Sequence, residues 1–185
     1  MSSRTTDESA TAATATLSGE RADLLETLAK HRHFLRHTTR DLTDEQAGLR
    51  TTASELCLGG LIKHVTSVER NWAGFVVDGP SAMGDASAMT EADWQARLDE
   101  FRMLPGETLA GVLAAYAEQA GRTDELVRTL PSLDDAQPLP QAPWFEPGAR
   151  WSARRVMLHV IAETAQHAGH ADIIRESLDG AKTMG

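Results

Sequence analysis

A chain of 185 residues, 41 % hydrophobic and 24 % charged, can build one core of ordinary size without crosslinks. Its net charge of −9 excludes an extended nucleic-acid surface, which needs clustered cations, and no run approaches the ~18 apolar residues of a membrane helix. The single cysteine, Cys57, excludes an intrachain disulfide and fits a reducing cytoplasm.

Residues 1–16 are rich in Ser, Thr and Ala, with no apolar block behind Arg4. They read as a disordered tail and not a signal peptide, which leaves residues 17–185 as the single folded domain. The first helix is expected from Ser18 to Arg40, with Ser18 as its cap and Glu20 and Asp23 suited to the positive end of the dipole. Leu24, Leu28, His31, Leu35 and Leu42 follow helical spacing as its apolar stripe, while His33 and His37 project from a polar, solvated side. Asp41 to Glu45 form a turn or short helical cap, followed by irregular chain through Ser54.

A second helix is expected from Leu58 to Val77, with Leu61, Val65, Val68, Trp72 and Phe75 inward and His64 on the flank of that stripe. Gly59 and Gly60 are each about 1 kcal/mol worse than Ala in a helix interior. They mark either a frayed start or a place where another helix comes close. Asp78-Gly79-Pro80 stops this helix, and Thr90-Glu91-Ala92-Asp93 has the form of a capping box that opens a short helix to Phe101. The third long helix runs from Glu107 to Leu130, with Leu109, Val112, Leu113, Tyr116, Val127 and Leu130 inward.

Five prolines between Pro131 and Pro147 leave little room for regular structure, and so long a connection suits the mouth of a pocket. The last helix starts near Ser152 and ends at Leu178, with Gly180 as its C-terminal cap. Arg150, Arg154 and Arg155, near its start, can meet solvent, a partner or a small anion. The sum is an all-α bundle of four long helices and one short one, with no strand, whose long connections let non-adjacent helices pair.

Chemistry concentrates on the last helix. Glu163, His167 and His170 recur at four- and three-residue spacing, with His159 one turn earlier. Val156, Val160, Ile174 and Leu178 share that side, which makes it the buried face. Titratable groups there are costly unless compensated, and a divalent metal is the simplest compensation. Glu163 and His167 offer an oxygen and a nitrogen to one ion, and His64 is the best third donor from a facing helix, leaving an open position. Such a set suits zinc, with nickel, manganese and iron also compatible. The rival reading is an internal hydrogen-bonded network without metal.

Single histidines such as His31 or His159 are more often hydrogen-bonded core residues, and His159 could instead orient a ligand. Tyr116 can bond a metal-bound water or serve as a core tyrosine. Trp72 and Trp151 pack or line a pocket, and Cys57 fits a small buried hydrophobe. Zincin, nucleophile-elbow, phosphate-loop and Cys-x-x-Cys motifs are absent.

The segment from Leu58 to Trp72, containing Gly59-Gly60 and His64, resembles the second helix of the DinB-like superfamily. The segment from Trp151 to Glu176, with Glu163-Thr164-Ala165-Gln166-His167-Ala168-Gly169-His170, is similar to the last helix of its actinobacterial "mini-circle protein" branch. The resemblance spans about Ser18 to Gly180 and implies a metal-centred four-helix bundle, often a homodimer. Much of that superfamily binds its metal with one histidine on the second helix and a His-x-x-x-His pair on the last. His64 and His167 match two of those positions. Glu163 stands at the third, as in related thiol-dependent isomerases, and His170 is an alternative or additional ligand.

Relatives include S-transferases that use mycothiol or bacillithiol, and thiol-dependent isomerases. The resemblance therefore implies a metal-dependent thiol transferase or isomerase, with mycothiol as co-substrate and a metal-bound thiolate attacking a small electrophile. His64, Glu163 and His167 would hold the metal, with His170 and Tyr116 as candidate catalytic groups. A non-catalytic metal- or small-molecule-binding bundle and a metal-dependent hydrolase are the alternatives.

Overall fold

The computed structural model of the chain describes residue 17, residues 19–84 and residues 88–183. The expected tail over residues 1–16 and the expected cap at Ser18 lie outside the described residues. Four long helices dominate: α1 (Gly19–His37), α3 (Leu58–Asp78), α5 (Leu109–Thr129) and α6 (Ala153–Asp179). Two short helices lie between them, α2 (Asp44–Gly48) and α4 (Glu91–Asp99), and a 3-10 turn (Gly79–Met83) ends α3.

Side-chain caps fix several of the starts. Cys57 caps α3 through Sγ, which accepts from the Gly60 amide, and Ser152 caps α6 by accepting from the Arg155 amide. The Thr90–Asp93 capping box opens α4 as the sequence suggests, and a Thr43–Gln46 box does the same for α2. At the far end, Gly180 closes α6 in the left-handed conformation, φ 78°.

The long helices form a ring in which α1 packs on α6, α6 on α3, α3 on α5, and α5 on α1. The α1–α3 and α5–α6 connections therefore join helices across diagonals, while the longest connection, residues 79–108, joins the neighbours α3 and α5. One expectation fails in the proline-rich connection. Ala136–Pro138 (β1) pairs antiparallel with Arg150–Ser152 (β2), and the ladder continues with Leu139 N donating to Ala149 O at 2.9 Å. A two-stranded ribbon is all edge, so Pro138 interrupts nothing that a central strand would need.

The core divides into two apolar layers. One gathers Leu24, Leu28, Trp72, Phe75, Val127 and Val160; the other gathers Leu35, Leu61, Val65, Tyr116, Ala168 and Ile174. Each long helix carries a buried polar residue in sequence between its contributions to the two layers: Arg32, Glu69, Thr123 and Thr164. Arg32 thus takes the interior position that spacing assigned to His31, which is only half-buried. It survives there because Nη2 and Nε donate to the Glu69 carboxylate at 2.6 and 3.2 Å, and Nη1 donates to Asp124 at 2.7 Å.

The basic cluster at the start of α6 is consumed internally. Arg154 pairs with Glu20 and Asp134, Arg150 donates to the Ala136 carbonyl, and Arg155 lies over the Trp151 ring. No helix among the described residues is long and apolar enough to cross a membrane.

Candidate metal centre

Helical spacing places Glu163 and His167 one turn apart on α6, and the α3–α6 contact brings His64 against them. One donor atom from each of His64, Glu163 and His167 lies within 4.8 Å of the others. The Oε2 of Glu163 is 3.7 Å from the Nε2 of His167, and the His64 and His167 rings meet edge to face at 4.9 Å. Two nitrogen or oxygen ligands of a tetrahedral zinc, each about 2.1 Å from it, stand about 3.4 Å apart.

The depth of the site differs from the sequence reading. The buried face of α6 is Val156, Val160, Thr164, Ala168 and Ala171, whereas His159, Glu163, His167 and His170 lie on its flank and are half-buried. Side-chain exposures of 17 % for His64, 28 % for Glu163 and 13 % for His167 leave one side open to solvent. That suits an ion with a free coordination position better than a sealed structural one.

Electrostatics favour the ligating forms. Burial, reinforced by the neighbouring His64, pushes His167 down to about 4, so its ring is neutral at neutral pH. Burial likewise lowers His159, outweighing the attraction of Glu163. The Nδ1 of His64 is buried without a well-formed hydrogen bond, and the carboxylate oxygen facing it, Glu100 Oε2, stands 3.5 Å away. The neutral His167 imidazole, the His64 imidazole and the Glu163 carboxylate at one point fit a divalent ion.

Each of the three donors also touches a further residue. Glu163 Oε1 is 3.8 Å from His159 Nε2, and the His159 ring meets Trp72 at 4.8 Å and Trp151 at 5.2 Å. His170 Nδ1 lies 3.4 Å from His167 Nδ1, on the side of that ring away from the nitrogen facing Glu163. His64 is stacked by Phe101 with ring centroids 4.1 Å apart. Glu100 is held by a 2.5 Å hydrogen bond from the Ser67 hydroxyl. Burial raises the Glu100 carboxyl, but His64 and Ser67 outweigh it and keep the group below the usual carboxylate range.

Tyr116, fully buried, faces a different neighbourhood: the Arg32–Glu69 pair and Thr164, with burial raising its hydroxyl well above the ordinary value. His33 and His37 stack on each other at the α1 surface, apart from this cluster. Sequence reasoning did not single out Glu100 or Phe101. The signal that could have found them is Gly59-Gly60, because a methyl at Gly60 would collide with the Phe101 carbonyl and one at Gly59 with the Met103 side chain.

Beside the centre opens a cleft of about 550 Å³, lined among others by Asn71, Trp72, Arg97, Glu100, Trp144 and Phe145. It borders the centre through Glu100 on one wall and through Trp72, which carries His159, on another. Trp144 is 65 % exposed, a large aromatic face left open to solvent. A family model described as Mycothiol-S-transferase matches residues 23–180. No curated protein matches the chain.

Proposed function

The chain belongs to the mycothiol-S-transferase family, and we propose that it joins a mycothiol-type thiol to a small electrophile at a divalent metal centre held by His64, Glu163 and His167. The observation that carries this reading is the convergence of three metal-competent donors, two of them imidazoles, at a half-open point beside a cleft. A divalent ion there supplies Lewis acidity, lowering the pKa of a thiol next to it so that the thiolate predominates near neutral pH. Zinc suits the donor set best.

The chain's own residues do the rest. His167, neutral because it is buried, keeps a lone pair for the ion. Trp72 and Trp151 hold the His159 ring against the second oxygen of Glu163, which restrains the carboxylate. His170, next to His167 Nδ1, is placed to fix that ring's tautomer or to relay the thiol proton outward. In the reaction the S–H proton leaves and the sulfur electron pair forms a C–S bond at the electrophilic carbon, whose displaced bonding pair departs with a leaving group or, in an addition, moves to a neighbouring atom that takes up a proton. The cleft would hold the non-reacting part of the thiol or electrophile, with Trp144 and Phe145 as apolar walls and Asn71 and Arg97 as polar contacts. Tyr116, buried beside the Arg32–Glu69 pair with its hydroxyl unpartnered, takes no part in this reading.

The decisive experiment is elemental analysis of untagged wild type and His167→Ala, followed by thiol-consumption assays with mycothiol and a panel of electrophiles. Near-stoichiometric metal in wild type, lost in the variant, with thiol consumption that follows metal content, is the expected result. Wild type that stays metal-free after loading with zinc, nickel or manganese would reduce the cluster to a polar network and remove the basis for thiol activation.

A further inference from the structure

We propose that Glu100 and Phe101, on the segment that follows α4, are a positioning pair for His64. Glu100 takes the Nδ1–H of the ring, Phe101 fixes its plane, and Nε2 is left as the nitrogen free to hold the ion beside Glu163 and His167. The metal-affinity consequence rests on the reading above; the ring's tautomer and orientation do not.

Helix α4 buries none of its residues, and Trp94 and Leu98 are 50 % and 62 % exposed. Packing of α4 therefore does not explain why its C-terminal end sits where it does. That end is strapped to α3 instead. Lys63 Nζ donates to the Asp99 carbonyl at 3.0 Å and to the Arg102 carbonyl at 2.9 Å, closing on Glu107 Oε2 at 2.7 Å. Ser67 holds Glu100, and the Cys57 thiol approaches the Phe101 carbonyl at 3.7 Å. At Gly60 the backbones press together so tightly that a Cβ would lie 2.7 Å from the Arg102 nitrogen and collide with the Phe101 carbonyl.

These ties run along α3 from Cys57 to Ser67, and His64 sits within that span. Their combined effect is to lay the Phe101 ring on His64 nearly parallel, at 26°, and to aim Glu100 at its Nδ1. A carboxylate only accepts, so a neutral His64 facing it carries its hydrogen on Nδ1 and presents a bare Nε2. The 3.5 Å gap is long for a finished bond, so the carboxylate orients the ring without clamping it. Ligand histidines are commonly held this way by a carboxylate behind them, and losing the carboxylate typically costs 10–100-fold in metal affinity.

Two readouts test the pair. Long-range proton–nitrogen spectra of the metal-free protein, with the His64 signal assigned by its loss in His64→Gln, should show the Nδ1–H tautomer in wild type. Glu100→Ala should lose that preference, and Glu100→Gln, which keeps an acceptor oxygen in the same shape, should retain most of it. Zinc dissociation constants from chelator competition should rise about 10–100-fold in Glu100→Ala and by less in Glu100→Gln, with the melting temperature of the metal-free variants unchanged. An Nε2–H tautomer in wild type, or zinc affinity in Glu100→Ala equal to wild type, would overturn the proposal. If no form binds zinc, the metal reading fails and the tautomer spectra alone decide the positioning role.

Discussion

Arg32, Glu69 and Asp124 make one polar cluster inside this bundle, and His64, Glu163 and His167 make another. In the first, contacts of 2.6 and 2.7 Å tie a cation to two carboxylates, and Glu69 has no exposed surface. In the second, Glu163 and His167 stand 3.7 Å apart, too far for a hydrogen bond, and every member keeps some exposure. The first is complete within the chain, while the second is spaced for something between its members. Burial of polar groups alone therefore does not mark a functional site; several metal-competent donors left uncompensated at one point do.

Substitution should separate the two clusters sharply. Glu69→Ala leaves the Arg32 guanidinium buried with Asp124 as its remaining carboxylate partner, and removing one member of such a pair costs about 3–5 kcal/mol. Glu163→Ala in the metal-free protein should change stability by less than about 1 kcal/mol, since long, part-exposed ionic contacts contribute little. Chemical denaturation of both metal-free variants checks this, and equal losses would erase the distinction between the clusters. Gly60→Ala comes next in size. The added methyl must push the Phe101 backbone away, at about 1–3 kcal/mol for overpacking. It should also weaken zinc binding by releasing His64. Denaturation with unchanged zinc affinity would detach the α4 segment from the metal centre.

Much of this arrangement was legible in the sequence. Helical spacing located the four long helices, the Thr90–Asp93 box and Gly180 fixed two ends, and the long connections left room for non-adjacent helices to pair. The trio of His64, Glu163 and His167 could be read because two members share one helix turn and the third flanks a strong apolar stripe. What spacing could not settle was rotation by a fraction of a turn. Arg32 and His31 are adjacent, and only partners on α3 and α5 decide which one enters the core. The flank position of Glu163 and His167 escapes spacing for the same reason, because Thr164 and Ala168, one residue on, occupy the buried face. The β1–β2 pairing joins positions twelve to sixteen residues apart across a proline-rich loop, beyond any local signal. Glu100 and Phe101 come from a separate segment, with the Gly59-Gly60 pair as the only trace of their docking.

The open cluster also makes stability depend on pH, in a way that the Arg32 cluster does not. His167 takes up a proton near pH 4 in the folded chain, against an ordinary value of 6.5. Between those values the unfolded chain binds a proton that the folded one refuses, so stability of the metal-free protein rises with pH across the window and levels off above it. His159, lowered by burial, adds to the slope with the same sign, as does His37 on the α1 surface. Arg32 adds nothing, because its carboxylate partners more than offset its burial and keep it charged throughout. Melting temperatures of metal-free wild type should therefore fall as pH drops from about 6.5 towards 4, and the combined His159→Ala and His167→Ala variant should lose most of that fall. An undiminished slope in that variant would place the titrating group outside the cluster, and the neutral imidazoles on which metal binding depends would need another explanation.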